Sequence, residues 1–167
     1  MLSLKSKRSK EASKSNIERF AWYSRYVSIF VMGTFYFFVG WKHLVEPELF
    51  IQIFPPFLPF AEEAVFWTGI WEMALGLLLI IPQTRYTGAV ATVTLLILVL
   101  PANIFMVMDH EVRAVIGFTK SEALVRVFFQ IPLILMALWH GKSNRSRSFS
   151  ILCSLLFPPT VIYFLTL

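Results

Sequence analysis

Residues 86–108 read YTGAVATVTLLILVLPANIFMVM, an apolar stretch without a charged side chain. A transmembrane helix needs about 20 mostly apolar residues to cross a hydrocarbon core of ~30 Å, so this stretch is long enough to span a bilayer. Four further apolar stretches lie at 26–44, 64–81, 122–139 and 149–167. The sequence therefore predicts an all-α, polytopic membrane protein: a four-helix bundle with an additional fifth transmembrane helix at its C-terminal end.

The overall composition points to the same class of protein. Hydrophobic residues make up 57% of the 167-residue chain and charged residues 15%. Soluble domains contain about 45–50% apolar and about 25% charged residues. Cys153 is the one cysteine in the sequence, so an internal disulfide is excluded.

The positive charges are sorted between the loops. Eleven Lys and Arg residues lie in the N-terminal arm, at Arg85 and in the turn after Trp139, and four lie on the other side of the predicted spans. Because cytoplasmic loops carry the excess of Lys and Arg, we expect a multi-pass protein of the cell (inner) membrane with a cytoplasmic N-terminus. Five spans then place the C-terminus outside. The net charge of +5 could suggest binding to nucleic acid, but the sorting of positive charge by loop argues against it. The expected partner is the lipid bilayer.

Three segments follow from these patterns. Residues 1–25 form a basic, serine-rich arm that we expect to be a disordered cytoplasmic tail. Residues 26–141 form the four-helix membrane domain. Residues 142–167 contain a basic turn and the fifth apolar stretch, which Pro158 and Pro159 should kink or break because proline withholds an amide donor.

The segment 45–63 is apolar but unsuited to spanning. Four prolines interrupt it and four glutamates charge it, while its phenylalanines and isoleucines are too apolar for a loop surrounded by water. We predict a stiff cap, non-helical in part, that lies in the headgroup region or over the mouth of the bundle.

Several polar side chains interrupt the predicted spans. Glu72 lies in the second, Asn103 in the third, and Arg126 and Gln130, four residues apart and hence on one helix face, in the fourth. An ionisable residue at mid-bilayer costs about 2.5–3.5 kcal/mol on insertion scales and usually faces the bundle interior. All four positions fall in the outer half of the membrane. We therefore predict a polar pocket beneath the cap, with Glu72 and Arg126 as an ion pair.

The predicted ligand pocket has His43 at its mouth and tryptophans on its walls. Its residues are His43, Trp67, Trp71, Glu72, Asn103, Arg126 and Gln130. No spacing of His, Cys, Asp and Glu specifies a metal site. Haem is disfavoured because its axial ligands belong deep in a bundle, whereas His43 is shallow and His110 and His140 are placed in loops. The same polar side chains are also compatible with hydrogen bonds that simply hold helices together.

Four sequence elements resemble the family of DoxX-like small membrane proteins. They are GWKHLVEP at 40–47 with IFPPFLP at 53–59, GIWEMALGLLL at 69–79, LPANI at 100–104, and Arg126 with Gln130. The resemblance covers about residues 26–141. Two departures stand out: Val127 and Phe128 occupy a place where the family often has proline, and the stretch after Arg147 extends beyond the usual four helices.

The resemblance implies a four-helix membrane protein, and some DoxX-like relatives are small subunits of quinone-linked oxidase or sulfur-oxidising systems. The leading hypothesis is an accessory or quinone-proximal subunit of a membrane oxidoreductase. It would bind no covalent cofactor but a quinone or lipid-like ligand, and its partners would include other subunits of a membrane redox complex. The alternative is a non-enzymatic assembly or hydrophobic-cargo-binding protein. A transporter is disfavoured because no inverted repeat is visible, and no residue is assigned as catalytic.

Overall fold

The structure, a computed structural model, describes the backbone of residues 2–142 and 145–166 and the side chains of residues 15–142, 145–164 and 166. The described residues form seven helices and no strand. The helices are α1 (Leu2–Val45), α2 (Pro47–Gln52), α3 (Ala61–Ile80), α4 (Arg85–Met108), α5 (His110–Val115), α6 (Lys120–Gly141) and α7 (Arg147–Leu165). The predicted all-α class is confirmed.

Five of these helices are long and apolar enough to cross a membrane. The qualifying segments are Ser15–Val45, Ala61–Ile80, Arg85–Met108, Lys120–Gly141 and Arg147–Phe164. The protein is therefore a multi-pass integral membrane protein. The predicted spans agree with these helices to within a few residues, except at the start of the first.

The first helix is longer than expected. Helix α1 begins at Leu2 and continues into the span without a break, so the prediction of a disordered arm is wrong. The physical reason is visible in the sequence: residues 2–25 contain no glycine and no proline, and their lysines, arginines and glutamates have good helix propensity.

Helices α1 and α3 pack closely through glycines that face one another. A Cβ atom added to Gly76 would lie 2.5 Å from the carbonyl oxygen of Gly33, and one added to Gly69 would lie 2.7 Å from the Cβ of His43. Gly40 faces the carbonyl of Gly69 at the same interface. Small residues let transmembrane backbones approach, which strengthens van der Waals packing where lipid supplies no hydrophobic drive.

The main core lies between α1, α3, α4 and α6, and it includes Leu75, Leu95 and Met136. Helix α7 packs on α6 and α1 and contributes Phe157 and Phe164 to this core.

Helix α7 continues through Pro158 and Pro159, so the prolines do not end it. Backbone groups that proline leaves unpaired inside a membrane are tolerated where neighbouring helices or side chains cover them.

At the basic end of the bundle, arginine side chains bond the carbonyl groups that helix ends leave unpaired. Arg25 donates from Nε to Trp139 O at 3.1 Å and from Nη2 to His140 O at 2.8 Å. Arg85 donates to Leu79 O and Ile80 O. These two arginines, predicted to lie in the arm and in a turn, thus cap α6 and α3.

His140 also lies elsewhere than predicted. It belongs to α6 rather than to a loop, its side chain is fully buried, and its Nε2 lies 2.9 Å from Ser28 Oγ. Helix α6 continues to Gly141, and Arg25 bonds two of its last carbonyl groups.

The opposite end carries α2, α5 and the proline-rich turn between α2 and α3. Arg113 donates from Nη1 to the carbonyl oxygens of Met106, Val107 and Asp109, and so fixes α5 beneath the end of α4. Met106, Val112 and Ala123 form a second, smaller core there. His110, placed in a loop by the sequence analysis, therefore begins a short helix. The predicted cap, non-helical in part, does contain the helical turn α2.

Candidate functional site: a cavity beneath the cap

Four helices present their polar residues at one end of the bundle, which we call the cap end because α2 and α5 lie there. Helices α1 and α4 end at the cap end, and α3 and α6 begin there. At 1.5 Å per residue, Arg126 lies roughly 9 Å and Gln130 roughly 15 Å along α6 from its first residue, and Glu72 lies roughly 16 Å along α3. The polar residues therefore span the depth from near the headgroups to the middle of the bundle.

A cavity of about 340 Å³ opens between these helices. Its polar lining comes from Glu72, Asn103, Arg126 and Gln130, so the structure brings four of the predicted pocket residues to one cavity. Its apolar lining comes mainly from α1 and α4, with single residues from α6 and α7, and includes Phe35, Tyr36, Val39, Leu96, Val99 and Phe164. Lys42 and Leu49, whose side chains are largely exposed, mark its opening at the cap end.

Helices α4 and α6 position the donors of the cavity. Arg126 donates from Nε to the Oδ1 atom of Asn103 at 3.3 Å. Gln130, one helical turn deeper, donates from Nε2 to Leu96 O at 3.3 Å. Both hydrogen bonds join α6 to α4, and they hold the Arg126 guanidinium and the Gln130 amide against the cavity wall. The four-residue spacing on one face of α6 accounts for their shared direction.

Glu72 has a different neighbour from the one predicted. Among the described residues, the only basic side chain within 4.0 Å of its carboxylate is His43, whose Nε2 lies 3.7 Å from Oε2. The predicted Glu72–Arg126 ion pair is therefore wrong, although both side chains line the same cavity. The close approach of α1 and α3 at Gly40 and Gly69 brings His43 against α3, whereas Arg126 is engaged with Asn103.

The hydrogen bonds of His43 define where its proton lies. Its Nδ1 faces Val65 O and Thr68 Oγ1, each at 3.3 Å. A carbonyl oxygen only accepts, and the Thr68 hydroxyl already donates to backbone carbonyls of α3, so Nδ1 is the donor. In the neutral ring, Nε2 therefore presents a lone pair to Glu72. At 3.7 Å the two atoms are close neighbours but are not joined by a hydrogen bond.

Three buried polar atoms at the cavity have no hydrogen-bond partner among the described residues: Tyr36 Oη, Glu72 Oε2 and Gln130 Oε1. A buried polar atom without a partner costs about 1–3 kcal/mol, and native proteins contain few of them. Here one hydroxyl and two acceptors belong to residues that line the same cavity. The three atoms are therefore the candidates for hydrogen bonds to a molecule in the cavity.

The remaining predicted pocket residues are placed differently. Trp67 is 65% exposed and Trp71 packs against the main core, so neither lines the cavity. His43 stands behind Glu72 rather than in the cavity wall, and the ring of Phe50 from α2 contacts it in a tilted arrangement, at 3.7 Å between centroids.

The cavity is also lined by Tyr36, Lys42 and Phe50, which were not among the predicted pocket residues. Tyr36 precedes His43 by two helical turns and hence shares its face of α1. The seven-residue spacing between Tyr36 and His43 was the signal in the sequence that could have identified Tyr36.

Within the part of the chain that the structure describes, no group of three or more His, Cys, Asp or Glu side chains is arranged to hold a metal ion.

Comparison with known proteins places this architecture in a family. The family is described as a domain of unknown function (DUF8561), and its model matches residues 32–141, about two thirds of the chain. The chain belongs to this family. The matched region contains the whole polar lining of the cavity and ends before α7. No curated protein and no solved structure matches the chain.

Proposed function

We propose that this protein binds an amphipathic molecule of the quinone type in the cavity beneath the cap, as a quinone-proximal subunit of a membrane oxidoreductase. One observation carries the proposal. Tyr36 Oη, Glu72 Oε2 and Gln130 Oε1 are buried without partners, and their residues line one cavity whose other walls are mostly apolar. Ligand pockets combine apolar walls with a few placed polar groups in this way.

The chemistry of a quinone head suits this lining. A quinone carbonyl accepts hydrogen bonds, and the Tyr36 hydroxyl and the Arg126 guanidinium are the donors available. A quinol hydroxyl donates, and Gln130 Oε1 and Glu72 Oε2 are the acceptors available. The same lining therefore accommodates the oxidised and the reduced head.

The His43–Glu72 pair supports a role in proton exchange. Reducing a quinone to a quinol takes up two electrons and two protons. In this proposal a protonated Glu72 gives its proton to a quinone oxygen and is reprotonated through His43 from the cap end, and a second passage along the same route supplies the second proton. The electrons come from a redox-active partner subunit. The resemblance to DoxX-like proteins, some of which accompany quinone-linked oxidases, favours this kind of partner.

Quinone binding to the purified protein in nanodiscs tests the proposal. We expect saturable binding of a benzoquinone probe to wild-type protein. The Gln130→Leu and Tyr36→Phe variants should bind about tenfold more weakly, since each loses one hydrogen bond to the head. Thr92→Val is the matched control, because Thr92 is fully buried and bonds within its own helix, away from the cavity lining.

An assembly role gives a different result. If the polar residues only hold the helices together, the wild-type protein binds no probe, and the Gln130→Leu and Thr92→Val variants differ only in stability. That outcome would rule out the ligand site.

A further inference from the structure

A second cavity lies along the side of the bundle. It has a volume of about 440 Å³ and runs between α1, α6 and α7. Its lining is apolar apart from Ser28, Thr34 and Thr160. Phe30 and Phe38, both more than 60% exposed, lie at its edge, so this groove opens on the lipid-facing surface.

The groove and the cavity beneath the cap share three wall residues: Phe35, Leu133 and Phe164. One layer of side chains therefore separates them. Phe35 and Phe164 come from different helices, α1 and α7, and their ring centroids lie 5.6 Å apart. Of this layer, Leu133 is buried in the core, whereas the two rings are only partly buried.

The groove has the dimensions of an apolar tail. Along α1 it extends from Ser28 to Phe38, roughly 15 Å at 1.5 Å per residue. That length is about half of a ~30 Å hydrocarbon core, the depth that one leaflet supplies. The polar cavity accepts a head and the groove continues from it toward lipid.

We infer that the groove between α1, α6 and α7 holds the long apolar tail, of isoprenoid type, of the molecule whose head occupies the cavity beneath the cap. The tail crosses the layer formed by Phe35, Leu133 and Phe164, and displacement of the two contacting rings opens the lateral route by which the molecule moves between the bilayer and the cavity. This inference rests on the proposed function and adds the ligand's tail and its access route. It also assigns α7, which lies beyond the family match, to ligand binding.

Two substitutions at adjacent residues of α7 distinguish the contribution of the tail to binding from that of the head. Val161 lines the groove, whereas Ile162 is 62% exposed on the lipid side. Two probes carry the same dimethoxy-methyl-benzoquinone head, one without a tail and one with a long isoprenoid tail. We expect Val161→Trp to weaken binding of the long-tailed probe in nanodiscs on the order of tenfold, because the added ring fills the groove. It should leave the tail-free probe unaffected, and Ile162→Trp should affect neither.

The outcomes are distinct. If wild-type protein binds neither probe, the proposed function fails and this inference with it. If wild-type protein binds both probes and Val161→Trp changes neither affinity, the head site stands and the tail groove is refuted.

A photoreactive group at the end of the long tail gives a measurement on wild-type protein alone, independent of how the variants fold. Cross-links at Phe157 or Val161 support the groove, since both line it. Cross-links confined to Leu155 and Ile162, which face lipid, overturn it.

Discussion

The Nε2 atom of His43 lies 3.7 Å from the Oε2 atom of Glu72, across the interface where α1 and α3 meet through glycines. A carboxyl group in the middle of a helix bundle is thus matched with a histidine near the helix end, and not with the arginine that lines the same cavity. The interaction energy of Glu72 with His43 can therefore be compared with that of Glu72 with Arg126.

A double-mutant cycle on His43 and Glu72 should show coupling. Glu72→Gln and His43→Ala each remove one member of the pair, and residues in contact have interaction energies of about 0.5–3 kcal/mol. The same cycle on Glu72 and Arg126 should give a smaller value, because Arg126 bonds Asn103. Unfolding free energies in detergent measure both. Stronger coupling of Glu72 to Arg126 than to His43 would contradict the observed geometry.

Gly76→Val should destabilise the protein by about 1–3 kcal/mol, because the added atoms meet the Gly33 carbonyl across the interface and force α1 and α3 apart. Ala74→Val on the exposed face of the same helix is the control and should be close to neutral. Thermal unfolding of the two variants provides the comparison. Equal stability of the two would show that the helices do not need close approach at Gly76.

Arg25→Gln should lower stability by about 1.5–3 kcal/mol, the range for hydrogen bonds to charged groups, because two buried carbonyl groups at the end of α6 lose their charged donor. Arg19→Gln, at an exposed position of the same helix, controls for the loss of a positive charge. Chemical unfolding in detergent distinguishes them. A loss of stability in both variants would assign the effect to net charge and not to capping.

The orientation in the membrane is predicted from charge sorting. We expect cysteines placed at Lys14 and Lys142 to be cytoplasmic and those at Glu62 and Lys120 to be external. Labelling of whole cells with a membrane-impermeant thiol reagent, in a Cys153→Ser background, measures this. External labelling at position 142 would reverse the predicted orientation.

Truncation after Lys142 should leave a folded bundle, since the main core is built largely by α1, α3, α4 and α6. Phe164 is then lost from the walls of both cavities. The truncated protein should therefore retain helical content but lose discrimination between long-tailed and tail-free probes. Circular dichroism measures the helical content, and titration with the two probes measures the discrimination between them. Aggregation of the truncated protein would show that α7 belongs to the folding core.

Sequence patterns determined the spans but not the contacts between them. Hydrophobic length places α3 and α4 to within a few residues, and the depth of Glu72, Asn103 and Arg126 follows from their distance to the span ends. Which face of a helix meets which neighbour depends on packing, which spacing alone does not specify. Glu72 and Arg126 therefore looked like partners because they have opposite charges at similar depth.

The positions of the histidines illustrate the same limit. His43 lies against Glu72 because Gly40 and Gly69 let two backbones approach, and glycine spacing in separate helices was the signal not used. His140 was assigned to a loop because basic residues follow it, yet it lies in α6, where Arg25, far away in sequence, bonds the last carbonyl groups. Long-range hydrogen bonds of this kind leave no local pattern in the sequence.

The facing glycines of α1 and α3 also bear on how this family can vary. Gly33 and Gly40 lie seven residues apart on one helix, and Gly69 and Gly76 lie seven apart on the other. Every missense change at a glycine codon adds at least one carbon atom, so heritable variation at these positions begins with a clash. The inter-helix spacing that sets His43 beside Glu72 thus leaves no room for a side chain at these four positions unless a neighbour shifts.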